Sequence, residues 1–304
     1  SFQEAGKRLI ERQQNAALRM RSGIRCLVSG ELPDVLEAFR VAQEAMLRQF
    51  LWSDRWETPL PLGEGKVDEV DPWSVAVEAK PHWRPFQLAY QLLVLESVAC
   101  PDSKERDTLD LLWFPTGGGK TEAYLAVAAF EIAYRRMQYG ESGAGTAVIM
   151  RYTLRLLTAQ QFERAAVLIS VLETMRKKDE GPDLGEAPIS LGLWVGEAST
   201  PNLLENDRDN SPGAVQLYDR MLEDEEPKNP FQLLACPFCG TEIVPESKSA
   251  DERHYGIEVD ASAFRIYCPD DRCLLHDRIP VSVVDEDLYR APPTFLVGTI
   301  DKFA

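Results

Sequence analysis

Apolar residues recur at helical spacing through the first fifty residues of the chain. They stand at positions 9, 10, 17 and 18, and again at 35, 36, 39, 42, 46 and 47. The pattern is interrupted at Gly30 and restarts at Pro33, and proline is favoured as the first residue of a helix. The spacing therefore predicts two helices, which form an N-terminal helical segment.

Residues 51–82 have a different pattern, rich in tryptophan, proline, glycine and acidic residues. Proline and glycine favour turns, so an irregular connector is expected here. Tryptophans such as Trp52, Trp56 and Trp73 argue against a free linker, because such large apolar side chains are usually buried.

Helical and strand patterns alternate from Arg84 onward. The predicted helices cover 85–97, 120–138 and 155–176, and the predicted strands cover 109–114, 146–151 and 189–195. This alternation is typical of a parallel α/β sheet. The polar, acidic stretches 177–188 and 197–230 are predicted to be mobile loops.

Composition and charge narrow the class of protein. The chain has 304 residues, 44% hydrophobic and 27% charged, which suits one folded domain with a large insertion or two domains. Its net charge of −16 excludes adhesion to nucleic acid through bulk charge, so any nucleic acid needs a local basic groove. The sequence shows neither a membrane-length apolar run nor a signal pattern, so we expect a cytoplasmic protein. We also expect an internal segment of a longer protein, because Ser1 is not an initiator methionine.

A glycine-rich turn follows the predicted strand 109–114 and precedes a predicted helix. It reads Pro-Thr-Gly-Gly-Gly-Lys-Thr over residues 115–121. Consecutive glycines let backbone N–H groups converge on a phosphate, a lysine at position 120 can reach the terminal phosphates, and a threonine hydroxyl at 121 can ligate Mg²⁺. The alternative is a glycine-rich turn followed by Lys-Thr by chance. Phe114 stands where the full phosphate-loop pattern has its first glycine.

This shortened loop resembles motif I of superfamily 2 helicases and translocases, and three other segments resemble motifs of that family in the same order. Arg84-Pro85-Phe86-Gln87 is similar to the element whose glutamine reads adenine, although alone it is an ordinary helix start. The stretch from Met150 to Gln161 is similar to motif Ia, with Tyr152 in place of its proline. The stretch 297–303 is similar to motif Ib, with Ile300 in place of its proline.

The resemblance implies a RecA-like, parallel-sheet P-loop motor domain, the first of two, that uses ATP and Mg²⁺. Lys120 and Thr121 are the implied catalytic residues, and the implied nucleotide contacts are Gln87, Thr116, Gly117, Gly118, Gly119, Lys120, Thr121 and Glu122. The implied contacts to the nucleic-acid backbone are Arg151, Thr153, Arg155 and Thr299. Arg151 or Arg155 is alternatively a surface ion-pair partner.

A helicase motor also needs an acidic pair, an aspartate for Mg²⁺ and a glutamate for the attacking water. Asp285 and Glu286 follow an apolar run, but they precede the Ib-like segment, whereas the family's acidic box follows it. We therefore interpret them as a strand end or turn, and expect the acidic box and the second motor domain beyond Ala304. Residues 1–304 alone are expected to show no substantial ATP turnover.

Four of the six cysteines form two close pairs. Cys236 and Cys239 are separated by two residues, Cys268 and Cys273 by four, and both spacings suit a structural zinc site. We predict tetrahedral Cys₄ zinc, with His276 as a substitute ligand, in a ribbon over residues 233–278 within an insertion 197–290. Cys26 and Cys100 are expected to be buried thiols.

Four segments together resemble the DrmA family, the helicase-like subunits of the bacterial DISARM anti-phage systems. They are the glycine-rich loop, the long Ia-like stretch, the Cys-Pro-Phe-Cys-Gly segment and the ending Val-Gly-Thr-Ile-Asp-Lys-Phe-Ala. The resemblance covers about residues 84–304, the predicted motor domain. Residues 1–83 carry none of these segments and are included only because they adjoin that domain. It implies a cytosolic ATP-dependent DNA-binding motor that acts on foreign DNA together with a DrmB-like partner subunit. No association with a membrane is expected. The alternatives are an RNA or repair helicase and an ATP-binding scaffold that recruits proteins.

Overall fold

The computed structural model describes residues 2–57, 81–115, 117–152, 155–178, 181–205 and 211–303. The side chains of 54–57 and 155–159 lie outside this description. By packing, the described residues divide into two compact units. The first draws on the described residues among 1–46, 80–143 and 182–185, and the second on those among 47–79, 144–181 and 186–304.

The first unit is built from helices. Helix α1 covers Phe2–Val28, α2 covers Pro33–Glu57 and passes into the second unit after Met46, α3 covers Pro85–Ala99, and α4 covers Lys120–Tyr139. Helix α1 packs along α3, and α3 packs on α4. Gly23 permits the close approach of α1, because a Cβ there would lie 2.0 Å from the Leu92 carbonyl oxygen of α3.

The second unit is built on a parallel sheet of four strands in the order β1-β6-β2-β5. The strands are β1 (Val148–Tyr152), β2 (Leu191–Trp194), β5 (Val281–Ser282) and β6 (Phe295–Thr299), and helix α5 (Arg155–Arg176) connects β1 to β2. Strand β6 lies between β1 and β2 and is almost entirely buried, as expected for an inner strand of a parallel sheet.

Shorter elements fill the stretch between β2 and β6. Helix α6 covers Ala214–Glu223, strands β3 (Ile257–Val259) and β4 (Phe264–Ile266) form an antiparallel hairpin, and helix α7 covers Asp285–Arg290. Strand β5 falls inside the predicted insertion 197–290, yet it pairs with β2. The main sheet therefore continues into the last part of that range.

The structure confirms a mixed α/β fold with a parallel sheet, and most predicted elements lie within a few residues of their expected positions. The predicted loop 197–230 contains helix α6, and α2 continues to Glu57 through residues expected in the connector. Most of that connector, 58–80, lies outside the described residues. The predicted domain boundaries stay a prediction.

The predicted strand over 109–114 is wrong. These residues form neither helix nor strand, and the side chains of Leu109 and Trp113 are 95% and 84% exposed. A strand requires a hydrogen-bonding neighbour, and none of the described strands pairs with this segment. The segment is held instead through Asp110, which accepts two hydrogen bonds from the Arg19 guanidinium at 2.5 and 2.7 Å.

None of the described helices is long and apolar enough to cross a membrane. Cys26 and Cys100, expected to be buried, are half-buried free thiols. Burial raises the pKa of Cys26 to about 11, so this thiol stays protonated near neutral pH.

A buried carboxyl group on α4 makes the first unit sensitive to pH. Burial raises the pKa of Glu131 to about 7, although Arg135 and Arg106 oppose the shift. Between its ordinary pKa of 4.5 and about 7, the folded state binds more protons than the unfolded state, so the free energy of unfolding falls as the pH rises through this window. Glu131→Gln is expected to remove this loss and to stabilise the protein at pH 8 by at most about 3 kcal/mol.

Denaturant unfolding at pH 5 and pH 8 measures this difference. The exposed Glu11→Gln variant is the matched control and should behave like the wild type at both pH values. If Glu131→Gln changed the free energy of unfolding equally at pH 5 and pH 8, Glu131 would be ionised in the folded protein at both pH values.

Candidate functional site

The glycine-rich turn lies immediately before helix α4 in the first unit. Gly117 and Gly119 have φ values of +75° and +81°, in the left-handed region that side chains other than glycine rarely adopt. The Gly118 N–H donates to the Pro115 carbonyl oxygen at 3.1 Å. These glycines therefore form a tight turn at the N-terminus of a 20-residue helix, where backbone N–H groups and the helix dipole favour an anion.

The Arg-Pro-Phe-Gln element contacts this turn directly. Gln87 Nε2 donates to the Gly119 carbonyl oxygen at 2.7 Å, and the Arg84 guanidinium donates to the Gly118 carbonyl oxygen at 2.7 Å. The Phe86 and Phe114 rings stack with centroids 3.9 Å apart. Gln87, predicted to read adenine, is buried and holds the loop in this structure.

The described residues predicted to hold phosphate and magnesium lie in or directly after the glycine-rich turn. Lys120 Nζ donates to the carbonyl oxygens of Phe114 at 2.7 Å and Pro115 at 3.1 Å, so the ammonium group folds back over the loop. The Thr121 hydroxyl lies 3.1 Å from the Tyr124 hydroxyl. Glu122 lies beside Gly119, its carboxylate 3.2 Å from the position of a Cβ there. Thr116 lies outside the described residues.

The four paired cysteines meet in one buried cluster in the second unit. Their sulfur atoms all lie within 4.8 Å of one another, with 3.7 Å between Cys236 and Cys273 and 3.5 Å between Cys239 and Cys268. A disulfide requires about 2.05 Å, whereas sulfurs about 2.3 Å from a zinc ion form a tetrahedron with edges of roughly 3.8 Å. The cluster therefore has the dimensions of a site that can bind a metal ion such as zinc.

Local structure explains why the cysteines converge. Gly240 has a φ of +77° and its N–H donates to the Cys236 carbonyl oxygen at 3.0 Å, which turns the chain back after Cys239. The Trp52 ring packs edge-on against Phe238 at 4.8 Å. His276 Nδ1 lies 2.8 Å from the Cys268 carbonyl oxygen, and the metal-binding group among the described residues consists of the four cysteines.

The electrostatics of the cluster differ from thiol to thiol. Burial raises the pKa of Cys236 well above its ordinary value, whereas hydrogen bonds from the other three thiols, Cys236 first, lower that of Cys239. A divalent cation favours the thiolate form of its ligands, so metal binding would release protons. Four protein ligands close the coordination shell, which is typical of a structural metal site.

The predicted nucleic-acid contacts fall at the carboxyl ends of neighbouring strands. Arg151 is exposed near the end of β1, and Thr299 ends β6, where its buried hydroxyl has no hydrogen-bond partner among the described residues. The two strands pair in parallel, so both residues lie at the same edge of the sheet. Thr153 lies outside the described residues, as does the side chain of Arg155.

Asp285 and Glu286 occupy the first turn of α7, just after β5. Asp285 is 3% exposed and its Oδ2 accepts a hydrogen bond from Lys302 Nζ at 2.6 Å. Burial raises the pKa of Asp285, and the Lys302 ammonium opposes the shift. Glu286 accepts from the Leu204 N–H at 2.9 Å and pairs with Arg290. The acidic pair was interpreted as a strand end or turn, whereas the structure places it in the first turn of a helix, separated from β5 by two residues.

Sequence reasoning missed three aromatic residues at the same edge. Trp194 ends β2, Tyr289 lies on α7, and Phe303 lies just after β6. The Trp194 indole packs edge-on against both other rings, with centroid distances of 4.9 Å to Phe303 and 6.3 Å to Tyr289. Trp194 ends a strand and Phe303 follows one, but aromatic residues at such positions are too common to identify a site, and Tyr289 lies within a helix.

No protein-family model matches this chain. The chain is 37% identical over 316 aligned residues to the DISARM protein DrmA of Bacillus paralicheniformis. The chain spans about a quarter of the length of that protein. This chain is therefore similar, along 99% of its length, to a segment that makes up 26% of DISARM protein DrmA.

Proposed function

We propose that this chain is part of an ATP-dependent, DNA-binding motor of superfamily 2 that serves a bacterial anti-phage system in the cytoplasm. The observation that carries the proposal is the turn Gly117–Gly119 before α4, which holds Lys120 and Thr121 at a helix N-terminus and is fixed from behind by Gln87. A negative phosphate group matches the N–H groups, the helix dipole and the lysine at this position. The similarity to DrmA supports the anti-phage role.

In this proposal the two units contribute different chemistry. The glycine turn, Lys120 and Thr121 hold the phosphates and Mg²⁺ of ATP in a RecA-like motor domain, while Arg151 and Thr299 contact the DNA backbone. The cysteine cluster binds Zn²⁺ as a structural ion, because its four thiolates leave no open coordination position for substrate. A DrmB-like subunit is the proposed partner.

ATP turnover in the full-length protein tests the proposal. We expect single-stranded or duplex DNA to increase turnover severalfold, and Arg151→Ala to reduce this increase while leaving turnover without DNA unchanged. Lys104→Ala, which removes an exposed lysine in the first unit, is the control. Stimulation by RNA in place of DNA would favour an RNA helicase. ATP binding without stimulation by any nucleic acid would contradict the motor and favour the scaffold.

The net charge of −16 is the observation that favours the scaffold alternative. A strongly acidic protein lacks the long-range attraction that draws most nucleic-acid-binding proteins to their ligand. The motor therefore requires a short-range source of affinity for DNA.

A further inference from the structure

A row of one cation and three aromatic rings crosses the carboxyl edge of the parallel sheet. The Arg151 guanidinium carbon lies 5.7 Å from the centroid of Phe303, which packs on Trp194, which in turn packs on Tyr289. Gly298 makes the row possible, because a Cβ there would lie 2.9 Å from the Phe303 ring. The indole N–H of Trp194 donates to the Tyr289 hydroxyl at 3.2 Å and fixes the spacing of these two rings.

An open cavity of about 510 Å³ adjoins the Tyr289 end of this row. Its lining includes Asn202, Asp285, Arg290 and Lys302. Asp285 is 3% exposed, and its Oδ2 accepts a hydrogen bond from Lys302 Nζ at 2.6 Å. The Asn202 side-chain amide carries both a hydrogen-bond donor and an acceptor, so a ligand with polar groups along one edge fits this cavity.

We propose that the row and the cavity bind an unpaired nucleobase of single-stranded DNA, an inference that rests on the proposed DNA-binding function. A base stacked on Tyr289 presents its polar edge to the cavity. There the Asn202 amide offers both a donor and an acceptor to the ring and exocyclic groups of the base. Duplex DNA is excluded from this contact, because its bases are already stacked and paired.

Base stacking also supplies short-range affinity for DNA, which this protein needs because its net negative charge provides no long-range attraction. Lys302 and Arg290 lie beside the row, but they are paired with Asp285 and Glu286, which partly neutralises them. Few phosphate charges are therefore neutralised on binding, and each contributes a slope of about −0.7 to the dependence of log affinity on log salt for single strands. We expect a shallow salt dependence, with most of the affinity from base stacking.

Binding of two labelled oligonucleotides by the full-length protein tests this inference. One is oligo(dT) and the other is an abasic strand of equal length and charge, both followed by fluorescence anisotropy at fixed salt. The protein should bind oligo(dT) more tightly than the abasic strand. Tyr289→Ala should weaken oligo(dT) binding by roughly 5- to 150-fold, the range expected for one stacked base, and leave abasic binding unchanged.

Two further variants separate stacking from other roles of the tyrosine. Tyr289→Phe keeps the ring and should retain most of the affinity for oligo(dT). Tyr139→Ala removes an exposed aromatic side chain of the first unit and should change nothing. Because Tyr289 is 66% exposed, its replacement should leave the thermal unfolding midpoint unchanged.

The outcomes distinguish this inference from the proposed function. Equal affinity for oligo(dT) and the abasic strand would overturn base stacking and leave DNA binding through the backbone intact. Absence of binding to both strands would overturn the proposed DNA binding, and base stacking with it. Loss of abasic binding in Tyr289→Ala would show that Tyr289 acts on the backbone site and not on a base.

Discussion

Cys239→Ser in the full-length protein is expected to abolish binding of one zinc ion and to unfold the segment around the cysteine cluster. Cys239 Sγ lies 3.5 Å from Cys268 Sγ, and the four buried cysteines make up the metal-binding group found among the described residues, so the variant loses one of four ligands. Structural zinc contributes about 10–16 kcal/mol of apparent binding free energy in small domains, and most of it is folding free energy of the surrounding segment. This is the largest effect that we expect from a single substitution.

Zinc content and limited proteolysis measure the result. The variant should contain one equivalent of zinc less than the wild type, and residues 233–278 should become sensitive to protease. Cys26→Ser is the matched control, because Cys26 is a free, half-buried thiol outside the cluster. If Cys239→Ser retained its zinc and its protease resistance, the cluster would be a group of buried thiols without a structural metal.

Lys120→Ala is expected to reduce ATP turnover by about 100-fold or more, because one positive charge aimed at a transferring phosphoryl group makes a contribution of this order. In the structure, the ammonium group donates to the carbonyl oxygens of Phe114 and Pro115. Both contacts are exposed to solvent, so the side chain can exchange them for phosphate oxygens when ATP binds. The same exposure means that the substitution should hardly change the free energy of unfolding.

A phosphate-release assay in the full-length protein checks this prediction. Lys104→Ala removes an exposed lysine elsewhere in the first unit and should retain wild-type turnover. If Lys120→Ala retained ATP turnover, the glycine turn would not take part in ATP hydrolysis.

Local sequence patterns predicted most of the helices because helical periodicity reflects contacts between residues three and four positions apart. Helix α5 covers Arg155–Arg176, as the apolar spacing predicts. The strand over 109–114 failed for the opposite reason. Its run of mostly apolar residues is compatible with a buried strand, but a strand forms only when another segment pairs with it, and no local pattern supplies that partner.

The candidate sites were predictable to the extent that their residues are close in sequence. The glycine turn and the cysteine pairs are local motifs, and the structure places each as a compact unit. The contact of Gln87 with Gly119 was not predictable, because it joins residues 32 positions apart through the packing of α3 on α4.

The sequence by itself determined the helices, the glycine turn before α4 and the spacing that lets four cysteines surround one ion. Tertiary structure alone decided the strand order β1-β6-β2-β5 and the row formed by Arg151, Phe303, Trp194 and Tyr289. Trp194 and Tyr289 are 95 residues apart. They meet because β2, β5 and β6 pair in parallel and bring their carboxyl ends to one edge, and such long-range pairing leaves no periodic trace in the sequence.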